Sequence, residues 1–366
     1  MQFNIEKSEM MELLNTAGYA MSNTPQLPIL LAVKLVARDG KLTVISNSVE
    51  IAIKCSAEAD IAEEGEICVE FKMFKDIISK TSLGSILFES DTKKICIKNG
   101  KSKFEISSID SKDFPDIQET EDKYRFTVIS NEFKDALKKC IPFASIGGCK
   151  KPVLEGVLLN INKSNIDVVA SDGLRVAEVK INCTSDTEQP FIIPAIIAKK
   201  ITGIVKNDDT ELKVISDGRS VVFEYGDCSI YVRMIDGVYL NYKPIFDLKY
   251  KTTVNMDRYS AIESIERTNL LTNTVPGNKI PAVMDIEKDK ILLSCTTAKG
   301  TNKETLTAKI EGDGLRIGFN CKFLLDALNA CEDEEIKMQF KDAVSGCQIS
   351  CNERSRYLVL PVRLYN

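Results

Sequence analysis

The strongest constraint on this chain of 366 residues is a pattern that recurs three times, at intervals of about 120 residues. Each copy opens with apolar residues at helical spacing, over 8–20 (SEMMELLNTAGYA), 131–142 (NEFKDALKKCIP) and 257–268 (DRYSAIESIERT). Ser8 and Asn131 are candidate N-caps for the first two. A pair of alternating strand runs follows, beginning at Leu27, Lys151 and Lys279, with turns predicted at Asp39-Gly40, 163–165 and 287–289. A short apolar strand (EICVEF, PFIIP, LRIGF) then leads into a second helix, predicted to begin at Phe71, Ile193 and Phe319, and two closing strands complete each copy. Alternating strands need one covered face, and two helices per copy supply the cover. The reading is therefore an α+β fold of three similar domains, each with two helices packed on antiparallel sheet, over 1–122, 123–248 and 249–366.

Composition narrows the function. The chain is 44% hydrophobic and 28% charged, so it can bury a core and is not a disordered polymer. It has no His and no Trp, which removes the commonest general base and the commonest zinc ligand. The twelve Cys are scattered through apolar segments without a CxxC pair and read as small core residues, with no metal or cofactor implied. A net charge of −5 argues against a globally basic DNA-coating surface, so any DNA contact must be local. No apolar run is long enough to span a bilayer, and the first twelve residues carry three acids and one Lys, unlike a secretory signal; a cytoplasmic protein with no membrane partner is expected.

Several segments in register with the repeat carry a resemblance. The stretch YLVLPVRL at 357–364, together with TPQLPILLAV near the start, SKDFPD at 111–116, KPVLEGVLL at 151–159, ASDGLRVA at 170–177 and DGVYLNY at 236–242, resembles the bacterial β sliding clamp, the DNA polymerase III β subunit, in its order and spacing. The resemblance implies the DNA clamp fold, two subunits joined head to tail as a dimeric ring of six domains, and a pore lined by twelve helices around duplex DNA. It implies a non-catalytic processivity factor that needs no base readout, because a closed ring holds DNA topologically and weak phosphate contacts let it slide.

The helices carry a slight basic excess on an acidic chain. The DNA-facing candidates are Lys72, Lys75 and Lys80 in the first domain, Lys134, Lys138, Lys139, Lys199, Lys200 and Lys206 in the second, and Arg258, Arg267 and Lys322 in the third. The same lysines also read as solvated faces of amphipathic helices.

By resemblance, partner proteins (the polymerase III α subunit, the clamp loader and other clamp-motif proteins) dock as extended peptides in an apolar pocket. Matched motif to motif, its lining is Leu154, Ser171, Gly173, Leu174, Arg175, Val176, Leu240, Ile245, Leu358, Val359, Leu360, Pro361, Val362, Arg363 and Leu364. Arg175 and Arg363 are candidates for holding the peptide's polar groups, while Leu358 and Leu360 read equally as buried strand ends. Three positions depart from the family: Leu174 stands where His is common, Leu240 where Pro is common, and Pro244 where a basic residue is common; Tyr365 and Asn366 extend past the usual end. The homodimer contact implied by resemblance joins Phe104 and Ile106 of one subunit to Leu270 and Leu271 of the other.

Other functions fit less well. The acids Asp208, Asp209 and Glu211 could hold a divalent ion for a nuclease, but they and the run 332–335 read as solvated turns, and no phosphate-binding GxxxxGK[ST] occurs. A diverged clamp paralogue, serving a phage or plasmid with altered partners, is the alternative that the pocket departures allow, and a sequence-specific DNA binder would need a base-reading helix.

Overall fold

The computed structural model describes residues 1–22, 27–272 and 280–364; the start of the TPQLPILLAV motif, Lys279, Tyr365 and Asn366 lie outside the described residues. The chain forms two compact units, one of Met1–Lys134, Thr184–Thr187 and Lys200–Met234, the other of Asp135–Cys183, Glu188–Lys199 and the residues from Ile235 onward. Among the described residues the α-helices are α1 (Lys7–Ala17), α2 (Phe71–Lys80), α3 (Ser130–Cys140), α4 (Ala195–Ile204), the short α5 (Lys243–Phe246), α6 (Arg258–Thr272) and α7 (Cys321–Ala330).

The first unit is organised on one continuous antiparallel ladder. Its hairpin Ala32–Arg38 and Lys41–Asn47 turns at Asp39 and Gly40, whose φ values of 51° and 72° are the left-handed pair that a two-residue hairpin turn demands. Strand Ile51–Glu58 continues the ladder and pairs with Cys228–Arg233, so a strand of the first repeat is bonded directly to one of the second. α1 packs on Lys41–Asn47 and Ile51–Glu58 and against α2. Beneath them Phe3 stacks on Phe88 with ring centres 4.7 Å apart, and Phe74 of α2 closes on Phe88 at 5.9 Å.

In the second unit a nine-stranded sheet contains the same joint one repeat later, with Arg175–Asn182 paired to Ser355–Val359. A four-stranded sheet runs Gly300–Thr307, Lys290–Thr297, Ala282–Ile286, Leu315–Phe319, and α6 lies on its first two strands and on α7. Tyr357 is fully buried, stacks on Phe143 at 5.5 Å and donates its hydroxyl to the Ala330 carbonyl at 3.0 Å.

Eight of the twelve Cys are buried and four are half-buried, all as free thiols, in keeping with the core role read from their apolar settings. Local boundaries differ from the reading in three ways. α4 and α7 begin at Ala195 and Cys321, because Ile193 and Phe319 still belong to the preceding strands. Ser8 and Asn131 are not N-caps: α1 starts at Lys7 after Glu6, and in α3 it is Ser130 whose hydroxyl reaches Asp208, while Asn131 donates to Asp209. Each repeat also holds more strands than the pattern revealed, such as Gln2–Glu6 before α1 and Gly300–Thr307 after the third hairpin. The latter, GTNKETLT, lies under α6 but has Leu306 as its single large apolar side chain, so its sequence lacks the alternation of a strand.

Phe88→Ala removes a fully buried ring from the Phe3–Phe74 stack. It is expected to cost about 3–5 kcal/mol of unfolding free energy, read from the shift in urea midpoint at unchanged slope.

Candidate partner-binding site

The site is built in the second unit, where the strand turn 171–175 meets the carboxyl-terminal strand. The turn is fixed by local side chains: the Asp172 carboxylate accepts from the backbone N–H groups of Leu174 (2.9 Å) and Arg175 (3.0 Å), and the Ser171 hydroxyl donates to the Arg175 carbonyl at 2.8 Å and accepts from Gly173 N–H at 3.1 Å. Gly173 adopts φ of +87°, a left-handed conformation that suits glycine, and leaves Leu154 Cδ1 about 4.0 Å from where a Cβ would stand. Just past strand Ser355–Val359, Leu360 donates its backbone N–H to the Leu174 carbonyl at 2.9 Å. That bond sets two exposed leucines side by side, Leu174 at 53% and Leu360 at 38% accessibility.

Below this rim lies an apolar cluster of Leu158, Val169, Val176, Ile192, Tyr242, Phe246 and Leu358, with Leu240 and Ile245 packed against it. The structure thus brings together Val176, Leu240, Ile245 and Leu358 from three separate segments. Pro361 is half-buried beside Leu360, while Val362 is bridged to Gly318 (N–H to carbonyl 2.8 Å) and Leu364 packs over the same glycine. Arg363 is exposed.

Two assignments to the pocket lining are corrected. Val359 is fully buried, because alternation in its strand points it away from the side of Leu358. Arg175 is not available to a peptide. Its guanidinium is 7% exposed, donates to Asp172 (2.9 Å), to Asp326 and to the Pro142 carbonyl (2.6 Å), and lies over the rings of Phe143 (5.1 Å) and Phe323 (4.3 Å). It clamps α7 to the start of strand Arg175–Asn182.

The aromatic residues of the cluster were the part that motif matching passed over. Tyr242 is 5% exposed, and its hydroxyl donates to Asp167 at 2.9 Å and accepts from Asn160 at 3.2 Å. Burial, followed by the Asp167 charge, pushes its phenol far above the usual range, so it stays a neutral donor. Tyr239 similarly accepts the Ser171 N–H at 3.0 Å and donates to Gly156. Two tyrosines in DGVYLNY were the available signal, since a buried phenol needs a polar partner.

The basic helix residues divide by environment. Lys72, Lys80, Lys138, Lys199 and Lys322 are exposed; Lys75 is half-buried with its ammonium 5.5 Å from the Phe71 ring centre, and Lys134 donates to the Val205 carbonyl at 2.7 Å. Lys206 is exposed but paired to Glu12 at 2.9 Å, and Lys200 is half-buried, its pKa pulled down by desolvation. Two assignments do not hold as DNA contacts. Arg258 is 9% exposed and donates to the Asp333 carbonyl at 2.9 Å, and Lys139 is held between Asp135 (2.6 Å) and Glu332 (3.0 Å) with its side chain 11% exposed. Arg267 is exposed, with its guanidinium forked onto Glu304 at 2.9 and 3.1 Å.

Asp208, raised as a metal ligand, instead accepts from Ser130 and Tyr225 at 2.8 Å each, bonds that hold its carboxyl well below the usual range. Among the described residues no cluster of acids and thiols has a metal-binding arrangement. No described helix is long and apolar enough to cross a membrane.

Repeated sheet-and-helix domains joined strand to strand, with an apolar rim at the carboxyl terminus, define a clamp-type fold. Three sequence models of the DNA polymerase III beta subunit match almost end to end: the N-terminal domain at residues 1–118, the central domain at 127–241 and the C-terminal domain at 243–363. The chain belongs to the DNA polymerase III beta subunit family, the bacterial sliding clamps, processivity factors of DNA replication with no catalysis of their own. It is similar to the beta sliding clamps of Chlamydia muridarum (23% identical) and Bacillus subtilis (24%), each over the full length of both chains. The same fold is seen in the crystal structures of the Bacillus subtilis DNA polymerase sliding clamp (TM-score 0.95, 23% identical, all of both chains) and of a Pseudomonas aeruginosa sliding clamp bound to griselimycin (TM-score 0.94, 22%, all of both chains).

Arg175→Ala leaves Asp172 and Asp326 without their shared cation. The expected result is a loss of about 3–5 kcal/mol in chemical unfolding, the size of breaking a buried pair and well beyond a surface ion pair.

Proposed function

We propose that this sliding clamp acts as a head-to-tail dimer that encircles duplex DNA and tethers the replicative polymerase, the clamp loader and other clamp-motif proteins through the Leu174–Leu360 rim. Three domains, 1–122, 123–248 and 249–366, fit the repeat, and a cytoplasmic location fits the twelve free thiols.

One observation carries the ring. The fourth strand of the first repeat, Ile51–Glu58, pairs with the last strand of the second, Cys228–Arg233; the fourth strand of the second, Arg175–Asn182, pairs with the last of the third, Ser355–Val359. The equivalents left over are Gly300–Thr307, whose outer edge is unpaired among the described residues, and Ser102–Ile109, which is open along residues 102–107. An open strand edge is a template for another chain, and these two complete the series when a second copy joins them. The residues assigned to the dimer interface fit: Phe104 is 40% exposed and Leu270 72% exposed, with Ile106 on the open strand and Leu271 close to Gly300.

Pocket function rests on exposed Leu174 and Leu360 over the apolar cluster, with Leu154, Ser171, Gly173, Val176, Leu240, Ile245, Leu358 and Pro361 as its floor and walls. Leu at 174 and 240, and Pro244, give it a more apolar, less charged rim than the family pattern, suited to a hydrophobic linear motif. The exposed Lys72, Lys80, Lys138, Lys199 and Lys322 supply local positive charge for phosphates.

Solution mass and retention on circular DNA test the ring together. The expected result is a mass of two chains and a complex that stays on nicked circles but runs off when they are linearised; a monomer that binds both forms equally would overturn it. Leu360→Asp with Pro361→Gly is expected to weaken binding of a polymerase clamp-motif peptide at least about 100-fold in titration, with folding retained, because apolar anchors dominate such docking. Replacing Lys72, Lys138, Lys199 and Lys322 together by Glu is expected to lower loading on DNA and to flatten the logarithmic slope of its salt dependence by roughly one for each phosphate no longer neutralised. Processivity equal to the parent would rule out that surface.

A further inference from the structure

One wall of the apolar site is a single stretch of chain, 239–248, in the second unit. Tyr242 and Phe246 enter the apolar cluster, and Tyr239, Leu240, Ile245 and Leu248 pack against it. Apolar packing is non-directional, so by itself it would let such a segment slide.

The sheet face beneath this segment does not stay apolar. Four neighbouring strands each carry an apolar side chain of the cluster and, two positions along and so on the same face, a polar one: Leu158 with Asn160, Val169 with Asp167, Val176 with Glu178, and Leu358 with Arg356. The two acids of this row are covered, Asp167 to 3% exposure and Glu178 to 1%. A carboxylate taken out of water needs donors. Glu178 receives the Nε of Arg356, its cross-strand partner. Asp167 accepts from the Tyr242 hydroxyl at 2.9 Å and from the Asn160 and Asn165 amides at 3.3 Å each, and the Lys243 ammonium stands 4.0 Å away. Tyr242 and Lys243 belong to the segment that does the covering. Arg356 adds a second hold, its guanidinium carbon 4.4 Å from the Phe246 ring centre.

We propose, on the pocket function given above, that Asp167 is a positioning residue for the peptide pocket: by drawing the Tyr242 hydroxyl to one place it fixes the register of 239–248, and with it the wall residues Leu240 and Ile245. A hydrogen bond to a carboxylate is short and directional, which apolar contact is not. Asp167 lies under the wall and acts through Tyr242. With the bond made, the wall stands in place before a peptide arrives, and binding does not have to order it. Without it the segment samples other placements, and apparent affinity falls in proportion to the fraction of time the wall is formed.

Tyr357 supplies the matched comparison. It is likewise a buried phenol, and its hydroxyl donates to the Ala330 carbonyl at 3.0 Å, from the opposite face of Ser355–Val359 to Arg356 and Leu358. Either hydroxyl can be deleted at the cost of one buried bond, and only that of Tyr242 holds the wall.

The test compares the full-length parent with Tyr242→Phe, Tyr357→Phe and Asp167→Ala, by titration with the polymerase clamp-motif peptide and by amide hydrogen exchange without it. Tyr242→Phe is expected to weaken the peptide about five- to tenfold, the scale of one net hydrogen bond. It should speed exchange of the Ile245 and Asp247 N–H groups, which bond the Tyr242 and Pro244 carbonyls, by a similar factor. Asp167→Ala, which takes away the acceptor, should reproduce both effects. Tyr357→Phe should leave both within about twofold of the parent, since it lies outside the wall. Unchanged exchange at Ile245 and Asp247 in Tyr242→Phe, or affinity lost equally in the two phenylalanine variants, would overturn the proposal. A parent that binds no peptide would instead sink the pocket function itself, and the exchange measurement, which needs no peptide, tells the two failures apart.

Discussion

An unpaired sheet edge is the constraint on which this molecule is organised. Every backbone N–H and C=O along a strand needs a partner, and a strand with only one neighbour leaves half of them to water or to another chain. The repeat answers this in one way at both joints, by laying the fourth strand of one copy against the last strand of the next. At each of these two joints hydrogen bonding passes from one repeat to the next, within the 14-stranded sheet at the first and the nine-stranded sheet at the second. What the helices add is cover: α1 with α2, and α6 with α7, pack on the strands and on each other.

The partner site depends on the same joint. Because Arg175–Asn182 is bonded to Ser355–Val359, Val176 and Leu358 fall opposite one another and become the shared floor of the apolar cluster. The extension past Val359 then lies along the turn 171–175, which is rigid because Asp172 and Ser171 spend their oxygens on its backbone. Buried charge surrounds the apolar patch rather than lining it. Asp167 is answered by Tyr242 and Asn160, Glu178 by Arg356, and Arg175 by two aspartates. A surface so supported presents hydrophobic area without collapsing into it.

Much of this was legible in the sequence, for reasons that differ by element. Helices α1, α2, α3 and α7 announce themselves through apolar spacing, and Asp39-Gly40 specifies its turn by the backbone angles it permits. Strand Gly300–Thr307 did not, since only Leu306 among its side chains is large and apolar. Within the site, Leu154, Val176 and Leu358 were found by motif, but the role of Arg175 was misread because its partner Asp326 lies 151 residues away. A charged residue beside a turn looks available until its distant neighbours are known. The same holds for Arg258 and Lys139, whose partners sit in the acidic run after α7.

In the proposed ring, the joints are alike in geometry and unlike in thermodynamics. Those at Cys228–Arg233 and Ser355–Val359 form between segments of one polypeptide, so their strands meet at a high effective concentration that dilution does not change. The pairing of Ser102–Ile109 with Gly300–Thr307 is bimolecular and must also offset the lost freedom of two bodies. A hoop made this way has fixed welds and two seams, and under any stress, whether scarcity of subunits or the pull of a loading machine, it parts at the same place.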